Sequence, residues 1–348
     1  MLVVLVIYSY ANRYGSTPAF RDAKGEVIPG SIAEMRRVNL GGVEQSVIIR
    51  GKSAKAPILI WLHGGPGTVS NGLMRRNNAA LENHFLVVYW TQRGTGRSYN
   101  SQIPSASINM AQFVGDLDAL IAKLKSRFQK RKVVLVGHSF GTSLGVAYAQ
   151  AHPENVAAFV GVSQVVNARE GERRSYQFTL DEAKRRGKEV AIKELTTIGP
   201  PPYPVASIIK QRKWLNEFGG GWKVPRSMPS LMWESFQASE ITWLDGANMN
   251  AGQTLSLNAM AAENAKVDWL TNATQFQMPV FILAGRFDRN TDAALQHEYF
   301  VKITAPYKQF KWFENSAHSP PFEEPESFNN FLIESVLPLV NSNSAAHK

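Results

Sequence analysis

A short strand, a tight glycine-rich turn and a helix follow one another between residues 132 and 151, and this succession constrains the fold more than any other stretch. Residues 133–136 form a β-branched and apolar run, which is typical of a strand buried on both faces. The sequence Gly-His-Ser-Phe-Gly at 137–141 follows at once, and helix-compatible residues continue to Ala151. Such a turn holds Ser139 at its tip, with its hydroxyl clear of the sheet and near the N–H groups of a helix start. Ser139 is therefore a candidate nucleophile.

Apolar strands alternate with amphipathic helices on both sides of this stretch. The helix after Asn109, a residue that favours the N-cap position, carries one apolar stripe from Phe113 to Phe128. Further helices are predicted at 293–301 and 325–337. The alternation predicts an α/β fold, with a mostly parallel sheet covered by helices on both faces. The predicted strands are 33–40, 43–49, 57–62, 85–90, 133–136, 156–162, 279–284 and 308–313.

The pattern changes after the sixth strand. Residues 165–272 contain no convincing buried strand, but they contain helical stretches such as 175–195, whose charges are typical of a solvated helix face. Three prolines at 200–202 and three glycines at 219–221 interrupt the segment. We expect a helical insertion at 165–272, a core formed by 31–164 and 273–340, an N-terminal extension at 1–30 and a flexible tail at 341–348.

Composition excludes several classes of protein. The 348 residues include no cysteine, which removes disulfides, thiolate catalysis and Cys-ligated zinc. The net charge of +10 is spread along the chain without a nucleic-acid recognition motif, so a solvated basic surface is expected and a nucleic-acid partner is not. No metal and no cofactor is expected, and the oligomeric state has no sequence signal.

The chain begins with the apolar run Met-Leu-Val-Val-Leu-Val-Ile-Tyr at 1–8. This run is far shorter than the roughly 20 residues that a membrane-spanning helix needs, so no stable span is expected in this chain. Residues 2–8 are either the remnant of a truncated membrane anchor or an N-terminal strand or disordered start. The expected location is cytoplasmic, or extracytoplasmic and membrane-anchored if the anchor interpretation holds.

Four candidate groups stand at the carboxyl ends of predicted strands, where ligands bind in open α/β sheets. They are the sequence His-Gly-Gly-Pro-Gly at 63–67, Ser139, Asp288 and His318. A neutral His318 can take the Ser139 proton as general base. Asp288 can hold the tautomer of that histidine and stabilise its charged form. Asp292 is a rival acid four residues on; Asp288 is favoured because it lies nearer the strand end.

The same logic identifies donors for an oxyanion. The backbone N–H of Phe140 follows the nucleophile, and a second N–H is available in the Gly64–Gly65 stretch, with Gly65 as the candidate donor. Two glycines there let the backbone approach a substrate without a Cβ in the way. These residues complete a predicted site for acyl transfer.

Together these motifs resemble the α/β-hydrolase superfamily and, more narrowly, the prolyl aminopeptidase (proline iminopeptidase) group of serine peptidases. The resemblance covers the core from about residue 43 onward. It implies an eight-stranded sheet, a helical cap and a triad of Ser139, Asp288 and His318. The sequences that carry it are His-Gly-Gly-Pro-Gly at 63–67, Gln-Arg-Gly-Thr-Gly-Arg-Ser at 92–98, Gly-His-Ser-Phe-Gly at 137–141, Gly-Arg-Phe-Asp at 285–288 and Ala-His-Ser at 317–319.

The resemblance also implies a specificity device. In that family the cap carries acidic residues that bind the free α-amine of a substrate, and Glu234 and Glu263 stand in similar local settings. With Trp233 and Gly64 they are the predicted substrate contacts. The alternative interpretation is that both are ordinary glutamates on a helix surface.

Departures from the family pattern leave the substrate open. Thr91 stands where the family usually has Asp, and His138 and Phe140 stand where it usually has Gly and Trp. The predicted function is a serine hydrolase that forms an acyl-enzyme and releases N-terminal residues, often Pro, from small peptides. One alternative is a carboxylesterase or lactonase that acts on small esters without peptidase activity. Another is a ligand-binding protein with vestigial turnover.

Overall fold

The computed structural model describes residues 15–345, and an eight-stranded sheet lies at its centre. Its strand order is β1-β2-β4-β3-β5-β6-β7-β8. The first strand pairs antiparallel with the second and the second with β4, whereas all other neighbours are parallel. The predicted α/β class with a mostly parallel sheet is confirmed. The strands are β1 Ile32–Leu40, β2 Val43–Gly51, β3 Ile58–Leu62, β4 Leu86–Trp90, β5 Val133–His138, β6 Val156–Val162, β7 Val280–Gly285 and β8 Lys308–Phe313.

The central strands are apolar because both of their faces are covered. Every residue of β3 is buried; Ile58, Ile60 and Leu62 belong to one apolar cluster, and Leu59 and Trp61 belong to the other. Side chains alternate across a strand, so the two clusters lie on opposite faces of the sheet. Each fully buried aliphatic side chain contributes about 1.5–3 kcal/mol of transfer free energy. This two-sided burial makes the sheet a firm support for the loops at its edges.

Chain order creates a crevice at one edge of the sheet. From β3 the chain runs to β4 on one side and later to β5 on the other side of β3. The loops that follow β3 and β5 therefore diverge, and such a switch point is where open α/β sheets bind ligands. Ser139 directly follows β5, and His63 directly follows β3.

Helices cover the sheet before and after a long insertion. The predicted N-cap is present: the side-chain oxygen of Asn109 accepts a hydrogen bond from the Gln112 N–H at 2.8 Å. The helix predicted at 325–337 is longer in the structure and contains a π-helical turn at Leu332–Val336. The helices outside the insertion are α1 Asn71–Asn78, α2 Met110–Phe128, α3 Phe140–Ala151, α10 Ala293–Lys302, α11 Pro320–Glu323, α12 Pro325–Phe331 and α13 Leu337–Ala345.

Between β6 and β7 the chain forms helices, here called the inserted helices α4–α9. The helical stretch predicted at 175–195 is two helices, because Gly187 takes a left-handed φ of 59° between them. A small apolar cluster around Tyr176, Leu195 and Phe218 holds the first three together. The inserted helices are α4 Ala168–Arg185, α5 Glu189–Ile198, α6 Val205–Glu217, α7 Met228–Phe236, α8 Trp243–Asn264 and α9 Trp269–Asn272.

The described chain starts against the inserted helices. The N–H of Ser16 donates to the carbonyl of Ser239 at 2.9 Å. The apolar run at 2–8 lies outside the described residues, so the choice between its two interpretations stays a prediction. Residues 346–348, at the end of the predicted tail, also lie outside them. Among residues 15–345, no helix has both the length and the apolar character needed to cross a bilayer.

Candidate active site

Ser139 sits in a strained turn between β5 and α3. Its φ of 54° and ψ of −122° are unusual for a residue with a Cβ, and such backbone strain costs on the order of 1–3 kcal/mol. Hydrogen bonds hold the turn: the Ser139 N–H donates to the Val162 carbonyl at 3.0 Å, and the Thr142 N–H donates to the Ser139 carbonyl at 2.8 Å. The strained conformation is thus imposed by the neighbouring strand and helix.

Close packing explains the two glycines of the turn. A Cβ on Gly141 would lie 2.0 Å from the carbonyl oxygen of Leu62, and a Cβ on Gly137 would lie 2.5 Å from that of Gly141. Real Cβ atoms do not approach backbone oxygens so closely, so helix α3 can meet strands β3 and β5 only with glycine at both positions. The close approach of strand and helix is therefore the reason for glycine at both positions.

Asp288 and His318 are in direct contact. His318 Nδ1 lies 3.0 Å from Oδ2 and 3.2 Å from Oδ1 of Asp288. A carboxylate only accepts hydrogen bonds, so Nδ1 carries the proton and Nε2 of the neutral ring keeps its lone pair. A histidine held in this tautomer can accept a proton at Nε2.

The Asp288 carboxylate is fully buried and surrounded by donors. Its Oδ1 accepts from the N–H groups of Asn290 and Thr291, and its Oδ2 accepts from Thr291 Oγ1 at 2.8 Å and Gln296 Nε2 at 3.1 Å. Burial alone would raise the pKa of Asp288, but the charge and hydrogen bond of His318 and the Thr291 donors hold it below its usual range. The carboxylate is therefore ionised and rigidly oriented.

Asp292, the rival acid, has other partners. Its Oδ1 accepts from the Leu295 N–H at 3.1 Å, which caps helix α10. Ion pairs to Arg174 at 3.2 Å and Arg289 at 3.1 Å engage the same carboxylate. The structure thus brings Asp288 into contact with His318, whereas Asp292 caps a helix.

The loop after β3 lies beside the Ser139 turn. A Cβ on Gly64 would lie 3.1 Å from the Cβ of Ser139, so the two backbones are in contact. Gly65 has a φ of 120°, which a residue with a side chain rarely adopts. Phe140 is the first residue of α3, where an N–H has no acceptor within its helix. Gly64, Gly65, Ser139 and Phe140 thus lie at one edge of the sheet.

Gln92 holds this loop from the neighbouring strand end. Its N–H donates to His63 Nε2 at 3.1 Å, and its Nε2 donates to the His63 carbonyl at 3.1 Å. Because Nε2 of His63 is an acceptor, its Nδ1 carries the proton and faces the Gly64 carbonyl. Burial lowers the pKa of His63 to about 4, so this ring is neutral. Gln92, which follows β4 after one intervening residue, therefore supports the loop that follows β3.

His138 supports the main chain of His318. Its Nε2 lies 2.8 Å from the carbonyl oxygen of His318, so it donates, and Ser163 Oγ donates to the same oxygen at 2.9 Å. Burial, with a smaller contribution from the charge of His318, lowers the pKa of His138 to about 3. Its ring stacks on Trp61 with a centroid distance of 6.0 Å. His138 therefore shapes the loop of His318, and no local sequence signal identifies Ser163 as its companion.

The three predicted cap residues have different surroundings. Glu234 accepts hydrogen bonds from Asn77 Nδ2 at 2.7 Å and from Arg226. Glu263 is exposed and accepts from the Met110 N–H at 3.0 Å, at the start of α2. Trp233 is 70% exposed. The two carboxylates thus already have partners, which the sequence did not reveal because these partners are remote in the chain or unrelated to any motif.

Comparisons with known proteins identify the family of the chain. The family described as serine aminopeptidase, S33, matches residues 54–325. A probable aminopeptidase, YbaC, from Bacillus subtilis is 30% identical over 304 residues, 87% of this chain and 96% of that protein. A proline iminopeptidase from Heyndrickxia coagulans is 26% identical over 78% of this chain and 87% of its own length.

A solved structure shows the same fold. The crystal structure of proline iminopeptidase from Mycobacterium smegmatis superposes with a TM-score of 0.64 at 18% identity, and it covers 90% of this chain and 100% of that one. The protein is an enzyme, a hydrolase of the α/β type. By its sequence and its fold, the chain belongs to the serine aminopeptidase family S33.

Proposed function

We propose that this enzyme cleaves small substrates through a triad of Ser139, His318 and Asp288, and that it releases N-terminal residues from short peptides. One observation carries the catalytic part. His318 donates from Nδ1 to a buried carboxylate, at the same sheet edge where the strained turn presents Ser139. In this proposal His318 is the base that activates a hydroxyl that would otherwise be a weak nucleophile.

The reaction has two stages, acylation of Ser139 and hydrolysis of the acyl-enzyme. Ser139 Oγ attacks the substrate carbonyl carbon and gives its proton to His318 Nε2; the N–H groups of Phe140 and Gly65 bind the resulting oxyanion. The protonated His318 then gives the proton to the leaving amine, the C–N bond breaks, and an acyl-enzyme remains. Water, deprotonated by His318, attacks the ester carbonyl and releases the acid and the Ser139 hydroxyl.

The peptide part of the proposal draws on the family and on the relatives named as aminopeptidases. In this proposal the inserted helices act as a cap over the site, and Glu234 or Glu263 binds the α-amine of the substrate. An ammonium group would compete with Arg226 for Glu234, and with the Met110 N–H for Glu263. At Glu234 the ammonium would replace one cationic donor with another, and at Glu263 it would replace a neutral backbone donor with a cation, so both carboxylates would stay paired.

The test of the catalytic part is Ser139→Ala. We expect kcat to fall by a factor of about 10⁴–10⁶ on every substrate, since a nucleophile acts with its base as a unit. Turnover is measured on L-proline β-naphthylamide, other aminoacyl arylamides and p-nitrophenyl esters. Ser143→Ala, on the same helix, is the matched control, and its kcat should stay within a few-fold. An unchanged kcat in Ser139→Ala would refute the proposed triad.

The substrate panel tests the peptide part separately. Hydrolysis of aminoacyl arylamides supports an aminopeptidase. Hydrolysis of short esters or lactones with arylamides untouched would favour the carboxylesterase or lactonase alternative. Saturable binding without turnover of either class would favour the ligand-binding alternative.

A further inference from the structure

A short segment of the inserted helices joins the two loops that carry Asp288 and His318. The N–H of Arg289 donates to the Gly220 carbonyl at 3.0 Å, and the N–H of His318 donates to the Gly221 carbonyl at 3.1 Å. A Cβ on Gly220 would lie 2.9 Å from the Cβ of Arg289, so glycine favours this close approach. The triglycine sequence that interrupts the inserted helices thus contacts the main chain next to both groups.

One carboxylate strengthens this junction. Glu323, at the end of α11, accepts from the Lys223 N–H at 2.7 Å through Oε1. Its Oε2 accepts from the N–H groups of Ala317 at 3.0 Å and Ser319 at 3.1 Å, which flank His318 on both sides. A single side chain therefore ties the loop of the base to the segment that enters α7.

Neighbouring contacts repeat the connection. The ring of Trp222 stacks on Phe322 with a centroid distance of 6.4 Å. Lys223 Nζ donates to Asn315 Oδ1 at 2.8 Å and lies 4.7 Å from the ring centroid of Phe287. Each residue from Gly220 to Lys223 thus contacts a loop that carries a member of the proposed triad, or the helix that follows it.

The chemistry of the contact requires an ionised carboxylate. Burial and the charge of Asp288 hold the pKa of Glu323 above its usual range, and the three backbone donors limit this rise because they favour the ionised form. All three partners are N–H groups, and hydrogen bonds from N–H groups to a carboxylate are stronger than those to a neutral acceptor. A neutral amide at this position would direct an NH₂ group at one or more of these donors.

We propose that Glu323 is a positioning residue, which aligns His318 for proton transfer and couples that alignment to the seating of the inserted helices. The inference rests on the proposed function, since it assigns Glu323 to the reaction of Ser139 and His318. The carboxylate does not touch the reacting atoms. It fixes the main chain on both sides of the base, and misplacement of a base by about 1 Å can reduce the rate about 10²-fold.

The experiment compares Glu323→Gln with Glu324→Gln. Glu324 is the adjacent residue and also accepts from this loop, at the Asn315 N–H and Ser316 Oγ, but it does not flank His318. With the best substrate of the panel, kcat of Glu323→Gln is expected to fall roughly 10- to 100-fold with KM nearly unchanged. In Glu324→Gln, kcat should stay within a few-fold. The low-field proton NMR resonance of the hydrogen bond between His318 and Asp288 should shift or broaden only in Glu323→Gln.

Two further measurements keep the inference testable. If Glu323→Gln does not fold, Glu323→Asp retains the charge but cannot reach all three donors, and its kcat should fall by a smaller factor. Wild-type kcat and an unchanged low-field resonance in a folded Glu323 variant would overturn the inference, provided that Ser139→Ala is inactive. Activity retained in Ser139→Ala would instead refute the proposed function itself.

Discussion

The carboxyl edge of the sheet and helix α7 differ in how far their side chains are buried. At the edge, Asp288 is fully buried, and donors from four residues surround its two oxygens. Helix α7 has no buried residue, and Met228 and Trp233 are 53% and 70% exposed. The edge is held by polar contacts and close packing, whereas the contacts of α7 with α1 and α8 leave none of its residues fully buried.

The sequence of α7 has one apolar side. At 100° per residue, five apolar residues fall within one arc of about 140°: Met228, Pro229, Met232, Trp233 and Phe236. The opposite side carries Glu234, which reaches Asn77 on α1. We infer from this difference that the rigid part of the molecule holds the groups of the proposed chemistry, while helix α7 can change with little effect on that geometry.

Among the tests of this contrast, the largest effect is expected at the buried acid. Asp288→Asn should reduce kcat about 10³- to 10⁴-fold, because an amide no longer selects the His318 tautomer with a free Nε2. Asp292→Asn is the matched control; Asn still caps α10, and kcat should stay within a few-fold. Steady-state kinetics of both variants decide the matter. A comparable loss of kcat in Asp292→Asn would show that the edge has been assigned to the wrong acid.

Stability should fall as the solution becomes acidic. His63 and His138 have pKa values of about 4 and about 3 in the folded protein, below the ordinary value of about 6.5. Below about pH 6.5 these two histidines bind protons in the unfolded chain but not in the folded protein, so stability present at pH 7 is lost as the pH falls. Between pH 7 and 5 the loss is about 2 kcal/mol for each ring, about 4 kcal/mol together.

Urea denaturation at several pH values measures this loss. His138→Gln should remove about half of it, because the unfolded chain then gains one proton fewer. His84→Gln, at an exposed position, should leave the loss as it is in the parent. A pH dependence that is unchanged in His138→Gln would contradict the buried, neutral state of this ring.

The glycines allow a sharper test of packing. Gly141→Ala should lower the free energy of unfolding by about 3 kcal/mol, because its Cβ would lie 2.0 Å from the Leu62 carbonyl oxygen. Gly115→Ala in helix α2 has open space around the new Cβ and should raise stability by about 0.5–1 kcal/mol. Midpoints of urea unfolding compare the two. Equal shifts in the two variants would show that the edge is not tightly packed.

The smallest effect is expected on α7. Trp233→Ser removes a large side chain that is mostly exposed, and the free energy of unfolding should change by less than about 0.5 kcal/mol. Ester hydrolysis should be unaffected. A destabilisation as large as that of Gly141→Ala would mean that α7 is packed as firmly as the edge, and the contrast would fail.

Much of the fold was predictable because its signals are local. The bounds of β6 and β8 agree with those predicted, since unbroken apolar or alternating runs end at turn residues. The capping of α2 by Asn109 also follows from one residue and its neighbours. Helix α1 was not predicted, because Asn71 and Gly72 disfavour a helix and only Leu73 and Met74 supply apolar contact.

The site was predictable only in part. The contact of Asp288 with His318 follows from two residues at neighbouring strand ends. The support around them does not, because it joins residues far apart in the chain, such as His138 with the His318 carbonyl. Glu234 illustrates the same limit: its pairing with Arg226 and Asn77 depends on how α7 lies on α1. Motifs identify reacting groups, whereas tertiary packing decides what holds them.

The pairing of β6 with β7 has a consequence for how such enzymes can diversify. Val162 ends one strand and Val280 begins its direct neighbour, so the whole of the inserted helices forms a single closed loop between adjacent strands. The entropy lost on closing a loop grows only with the logarithm of its length, and doubling the length costs about 0.6 kcal/mol. Segments between these two strands can therefore be lengthened, shortened or exchanged at little thermodynamic cost, as long as the contacts at Gly220, Gly221 and Lys223 are kept.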